Sequence, residues 1–325
     1  MTRPRASLII AVICFSVLTV YAQYAFLDTT DSATHRGFRE MSLAQYHDTL
    51  DGRRWFPFQW RVAGPWLVFL GERATHLDPH VIDITIKITA LAVATLVLIE
   101  FTARWASALG ALTGGVLFLV LTSVAFATEG YAIYYTNDYL LMMGWFVAVS
   151  LVARGRLGWA ALVTFLTAWA KETIGLVPIL VAFAYWRRKA PARAVVLCVL
   201  AFAIPMAFLR VRYPAPLKYW AWWNNIERNV PFVRTEPAII LLTLRNNLKV
   251  LMFYNVLWIL AAQALARTSV TVLRDLGWVG AIYLAAAYVV VYVRELRHVL
   301  LLAIVVVPLA MMKLEELIAS SRNDQ

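Results

Sequence analysis

The sequence predicts an all-α fold, a polytopic membrane protein with about ten transmembrane or re-entrant helices. Three observations carry this expectation. Hydrophobic residues make up 62% of the 325-residue chain, and its mean hydropathy is +0.68. The apolar residues fall in runs that approach the roughly 20 residues a helix needs to cross the hydrocarbon core. Charged residues, only 15% of the chain, gather in the short connectors between the runs. In lipid, only helices and closed barrels satisfy their own backbone groups, so runs of this kind read as helices.

In chain order the candidate spans are Ser7–Tyr24, His80–Phe101, Ala108–Ala127, Asp138–Val152, Leu157–Ala170, Thr173–Trp186, Ala192–Leu209, Leu248–Ala266, Leu276–Val293 and His298–Met312. Several are short for a full crossing. The first follows Arg3 and Arg5, as a signal peptide would. Its Ala22-Gln23-Tyr24-Ala25 stretch runs on into aromatic and acidic residues, which do not make a small-residue cleavage site, so a retained helix is expected. No soluble domain, fixed-period repeat or low-complexity tract interrupts the chain, and residues 1–325 read as one integral membrane domain. The Lys171–Glu172 pair breaks an apolar stretch from Trp159 to Trp186. One long helix there would bury two charges at mid-bilayer, so a tight helical hairpin with a polar tip is the better reading.

Composition excludes other classes. Cys14 and Cys198 both fall inside apolar runs and suit neither a disulfide framework nor a metal site. The net charge of +11 would suggest nucleic acid in a soluble protein. Here much of the excess lies in the connectors at Arg104, Arg154–Arg156, Arg187–Arg193 and Arg267–Arg274, which the positive-inside rule assigns to the cytoplasm with both termini. The opposite, extracytoplasmic face then carries residues 26–78, 129–137, 171–172, 210–247 and 294–297. Four polar clusters converge on that face: Asp28 and Asp31 with the basic stretch 53–61, then Asn137–Asp138, Lys171–Glu172, and Arg294–His298. Ionisable groups at a membrane boundary are costly unless they face protein, water or a ligand, so the convergence marks a candidate site.

Each cluster has a bland and a chemical account. Asp28 and Asp31 could deprotonate a hydroxyl or hold a divalent cation. On D-x-x-D spacing alone, a solvated loop or an N-cap is the better account. Arg61, set among aromatics and two prolines in Trp55–Trp66, could grip a phosphate bidentately or snorkel to the interface. Lys171 could neutralise Glu172 or reach a phosphate as a point charge. Arg294 and Arg297, with Glu295 between them and His298 following, could bracket an anionic headgroup or anchor the last span. Asp83 and Lys87, one turn apart, are expected to pair with each other. The Tyr219–Trp223 cluster reads as an interfacial belt before a stacking platform. His76 and His80 are separated by Pro79, which argues against a metal pair.

Taken together these residues resemble the GT-C superfamily of membrane glycosyltransferases. The likeness rests on a cytoplasmic N-terminus, a first helix leading to the acidic Asp28 and Asp31, and the re-entering Pro57-Phe58-Gln59-Trp60-Arg61-Val62-Ala63-Gly64-Pro65 segment. Ala170-Lys171-Glu172-Thr173 before Pro178, and Arg294-Glu295-Leu296-Arg297-His298 before Pro308, complete it. The acidic pair departs from the adjacent or closely spaced acids usual in the family. The resemblance implies a minimal, membrane-only version in a bacterial cytoplasmic (inner) membrane, with its active face extracytoplasmic. The donor would be a polyprenyl-phosphate-linked sugar, and the acceptor a glycan or lipid. Asp28 or Asp31 would be the catalytic base, and Arg61, Lys171, Arg294 and Arg297 would hold the lipid phosphate. Asp138, Glu172, Glu295 and His298 would support them. No cofactor is required, although a divalent cation could share the task, and nucleic acid is not an expected partner. Rival readings are a transporter or flippase of a lipid-linked or anionic substrate, a polysaccharide polymerase, and a non-catalytic membrane subunit.

Overall fold

A computed structural model describes residues 4–30, 46–53, 60–127, 136–214, 222–290 and 295–323; the side chains of residues 4, 5, 24–30, 222–224, 290 and 323 lie outside the description. The described residues form helices, turns and irregular segments, with no strand among them. In order the helices are α1 (Pro4–Thr30), α2 (Ala63–Thr75), α3 (Pro79–Thr102), α4 (Ala108–Ala127), α5 (Thr136–Ala153), α6 (Leu157–Ala168), α7 (Leu176–Trp186) and α8 (Ala192–Arg212). There follow α9 (Trp222–Asn229), α10 (Pro237–Tyr254), α11 (Val256–Arg267), α12 (Thr271–Val290), α13 (Leu296–Val299) and α14 (Ala303–Asn323). Residues 46–50 add a short helical segment.

Among the described residues, seven helices are long and apolar enough to cross a membrane, which suits a multi-pass membrane protein. The number becomes eight if α10 and α11, bent by 68° at Asn255, count as one broken span. The other two expected spans are short: α6 has 12 residues and α7 has 11. At about 1.5 Å per residue, neither crosses a hydrocarbon core of roughly 30 Å alone. The shortfall comes from the break at Trp169–Lys171, which the Lys–Glu pair foreshadows.

The chain falls into two compact units. The first is Met1–Val97 with Glu129–Pro216, and the second is Leu98–Thr128 with Leu217–Gln325.

In the first unit α5 is the central helix, with its two faces almost wholly buried. Gly144 lets α6 approach it: a Cβ at that position would lie 2.0 Å from Thr167 Oγ1. The first helix shows the inverse of soluble amphipathicity. Val12, Ser16, Thr19, Val20 and Gln23 face inward, while Ile9, Ile10, Ile13, Phe15, Leu18 and Tyr21 are exposed. Tyr139 donates its hydroxyl hydrogen to Gln23 Oε1 at 2.5 Å. Helix α8 likewise exposes Val196, Leu197, Leu200, Ile204 and Phe208. Exposed apolar surface on this scale is unfavourable in water and suits lipid. Pro65 sits in the first turn of α2, where a missing N–H removes no helical bond.

In the second unit the first part of α14, residues 303–311, is buried, and α14 packs on α11 and α4. Tyr254, at the end of α10, donates to the Val299 carbonyl at 3.1 Å. The Glu315 carboxylate accepts from the Ser107 backbone N–H at 3.0 Å, capping the start of α4.

Candidate functional site

The first unit assembles its polar site from three consecutive residues at the start of α5. Thr136, Asn137 and Asp138 are each buried and each reach a different element. The Thr136 hydroxyl donates to Asp83 of α3. Asp83 also accepts from Lys87 one turn along at 2.5 Å, and both side chains are at most 1% exposed. The expected Asp83–Lys87 pair is therefore present. Asn137 holds the re-entering chain on both sides of its amide: Nδ2 donates to the Arg61 carbonyl at 2.9 Å, and Oδ1 accepts from the Gly64 N–H at 2.8 Å. Asp138 accepts from Lys171 Nζ at 2.5 Å. A helix N-terminus favours a carboxylate at this position through its dipole.

The break between α6 and α7 completes the arrangement. The Trp169 carbonyl accepts from the backbone N–H groups of Val62 and Ala63, each at 3.0 Å. Lys171 is extended, with φ −164° and ψ 142°. Consecutive side chains in extended backbone point to opposite faces. Lys171 accordingly turns to Asp138, and Glu172 turns to Arg61. Arg61 Nη2 donates to Glu172 Oε1 at 2.7 Å, with Nε at 3.4 Å from Oε2. Burial works to raise the Glu172 pKa, but the Arg61 guanidinium, with Lys171 nearby, brings it down to about 2. This carboxyl stays ionised, and its pairing contributes stability above the ordinary carboxylate range. That contribution is lost only as pH falls toward about 2.

Beside these ion pairs lies a cavity of about 680 Å³, a size ordinary for a small-ligand pocket. Its walls include Leu67, Leu140, Met143, Leu166 and Phe208, and it adjoins the polar residues through Val62, Ala63 and Ala170. Arg212 and Tyr213 also line it. Arg212 stands 5.1 Å from the Tyr213 ring centroid, and Arg210 stands 5.2 Å from that of Trp60. Trp60 Nε1–H donates to the Tyr213 carbonyl at 2.8 Å. Arg210 and Arg212 are exposed and, among the described residues, neither forms an ion pair with a carboxylate. The cavity thus combines an apolar interior with cationic and aromatic members.

The second unit holds the remaining expected cluster on one turn. Arg297 Nη2 donates to Glu295 Oε2 at 2.5 Å, and His298 Nε2 lies 3.1 Å from the same oxygen. Burial opposes ionisation of Glu295, yet the His298 hydrogen bond and the Arg297 charge together lower its pKa. Tyr283 donates to the His298 carbonyl at 2.9 Å. The residues close on one another as a local triad.

The structure therefore brings Arg61 to Glu172, Lys171 to Asp138, and Glu295 to Arg297 and His298. Lys171 and Glu172, adjacent in sequence, take Asp138 and Arg61 as their ion-pair partners, and the Lys171 charge also helps hold the Glu172 carboxyl ionised. Asp28 belongs to α1 with its side chain outside the described residues, and Asp31 and Arg294 lie outside them altogether. So do the Tyr219–Trp223 side chains. Among the described residues no group of three or more His, Cys, Asp or Glu could hold a metal ion. Asn137 belongs to the Asn137–Asp138 cluster already read in the sequence, whereas Thr136, Trp169 and Arg212 emerge only from the structure. The one signal for Thr136 is its place in a polar Thr-Asn-Asp triplet opening an apolar run.

Comparison with protein-family models, curated proteins and solved structures finds no significant match to this chain.

Proposed function

We propose that the chain is a membrane glycosyltransferase that moves a sugar from a polyprenyl-phosphate donor to an extracytoplasmic glycan or lipid acceptor. One observation carries the reading. The first unit sets an apolar cavity, with Arg212 in its wall, directly beside a fixed array of ion pairs. Such a combination suits a ligand that joins a hydrocarbon chain to an anionic headgroup. In this reading the chain lies in the cavity and Arg212 meets the phosphate. Arg61 and Lys171, already paired, orient the site and add to its field. Asp28 or Asp31 takes the acceptor proton, as the GT-C resemblance implies. The acceptor oxygen bonds to the anomeric carbon as the bond from that carbon to the phosphate oxygen breaks. Polyprenyl phosphate leaves with added negative charge, which nearby cations stabilise as it develops. Glu172 and Asp138 are poor candidates for the base, because each carboxylate is already committed to a cation, Arg61 and Lys171 respectively. The membrane would be the bacterial inner membrane, with both termini cytoplasmic.

A reconstituted assay tests the proposal. The purified protein in nanodiscs is supplied with undecaprenyl-phosphate sugars labelled in the sugar, together with membrane-lipid acceptors, and release of undecaprenyl phosphate is followed. Transfer is expected, and Asp28→Asn or Asp31→Asn should abolish it while the protein still accumulates. Movement of labelled lipid between leaflets without sugar transfer, insensitive to both substitutions, would instead establish a transporter.

A further inference from the structure

We propose that residues 46–53 form a strap that fixes one wall of the first unit's cavity, with Tyr46, Gly52 and Tyr213 as the residues that position it. Only the identity of the occupant rests on the lipid-donor reading; the strap itself rests on contacts at both its ends.

One end is anchored by a buried polar chain. The Tyr46 hydroxyl lies 3.4 Å from Thr136 Oγ1, Thr136 donates to Asp83, and Asp83 pairs with Lys87. The Tyr46 ring is 8% exposed and packs with Val68 and Ile82, with Ile86 alongside. A buried ion pair is weak evidence for stability, because desolvation offsets much of its attraction. The glycosyl transfer outlined above makes no use of it, and a directional anchor for Tyr46 accounts for its presence.

The other end is fixed by shape. Gly52 adopts φ +70°, a conformation that costs glycine nothing and a side chain considerably more. A Cβ there would also lie 2.7 Å from Tyr213 Cε1. Between the two ends the segment wraps tightly, through Asp51 N–H to the His47 carbonyl at 2.9 Å and Arg53 N–H to the Asp48 carbonyl at 2.8 Å. Leu50, in the middle of the strap, lines the cavity, and so does Tyr213, on which Gly52 rests. A shift of the strap would therefore move two wall residues, and an occupant that presses on those residues would be felt at the strap.

Arg53 supplies the readout. Its side chain is exposed, paired at the surface with Asp51 and Asp48, and a trypsin cut after it reports on the strap. Arg188, exposed after α7, serves as an internal control. The full chain in detergent micelles is digested with and without undecaprenyl phosphate or phosphatidylglycerol, with native mass spectrometry recording how much lipid is bound. Bound undecaprenyl phosphate is expected to slow cleavage after Arg53, relative to Arg188, by at least about fivefold, the low end of typical coupling between sites. Tyr46→Phe removes only the hydroxyl anchor, and Gly52→Ala disturbs the opposite end. Either should abolish lipid-dependent protection while the lipid still binds, an effect that general loosening of the fold would not confine to Arg53. Lipid binding with no change at Arg53 overturns the strap. Failure of both lipids to bind overturns it as well, since the wall would then have no occupant. Binding and protection by phosphatidylglycerol alone would uphold the strap and remove the polyprenyl-phosphate donor from the proposed function.

Discussion

Lys171 illustrates how a buried charge is made tolerable here: its ammonium group is matched to Asp138, on a neighbouring helix, at 2.5 Å. Both side chains are at most 8% exposed, so neither has water to fall back on. Removing one partner of such a pair typically costs about 3–5 kcal/mol, because the other charge is stranded, whereas replacing both with apolar residues is often neutral. Lys171→Met should therefore lower the thermal unfolding midpoint sharply in detergent. Lys171→Met combined with Asp138→Leu should recover most of the loss. Equal destabilisation by the single and double variants would show that the pair is not what Lys171 contributes. The sequence shows that Lys171 and Glu172 need partners but not which ones. Adjacency in sequence favours an internal pair, and only the extended backbone at Lys171, which throws the two side chains to opposite faces, separates them.

At the scale of elements, α5 organises the first unit through its start and through Gly144 in its middle. The start of α5 ties together α3, the re-entering chain before α2, and the break between α6 and α7. Gly144 lets α6 lie against it. Gly144→Ala is expected to destabilise the protein by overpacking, by about 1–3 kcal/mol. Thr167→Gly, placed behind it, should recover part of that loss, as judged by thermal melting of the purified variants. An unchanged melting point for Gly144→Ala would mean that the two helices are free to part. Hydropathy made most elements legible, because a lipid-exposed helix has to be apolar along its length. It could not reveal the bend at Asn255. The run Leu248–Ala266 has the composition of one span, whereas the 68° turn depends on a single residue with φ 46° and ψ −127°. Composition is blind to one dihedral pair in an apolar setting. The α6–α7 break was legible for the opposite reason, since two adjacent charges cannot sit in the middle of a span.

At the scale of the molecule, the seven long apolar helices among the described residues, with their exposed faces, are enough to define a multi-pass membrane architecture. The layout of charged connectors supplies the proposed orientation, and the cavity beside the α5 hub supplies the proposed ligand. Little of the cavity could be read in advance. Its walls come from residues of α2, α5, α6 and α8 that look like ordinary core positions, and Arg212 looks like one more basic residue at the end of a span. Only the meeting of these elements makes a site of them. The most direct test of the account is an experimental structure of the protein with undecaprenyl phosphate. The isoprenoid chain is expected within the first unit's cavity, against Leu140 and Phe208, with the phosphate within about 2.7–2.9 Å of the Arg212 guanidinium. A chain lying elsewhere on the protein, with this cavity left as it is, would contradict it.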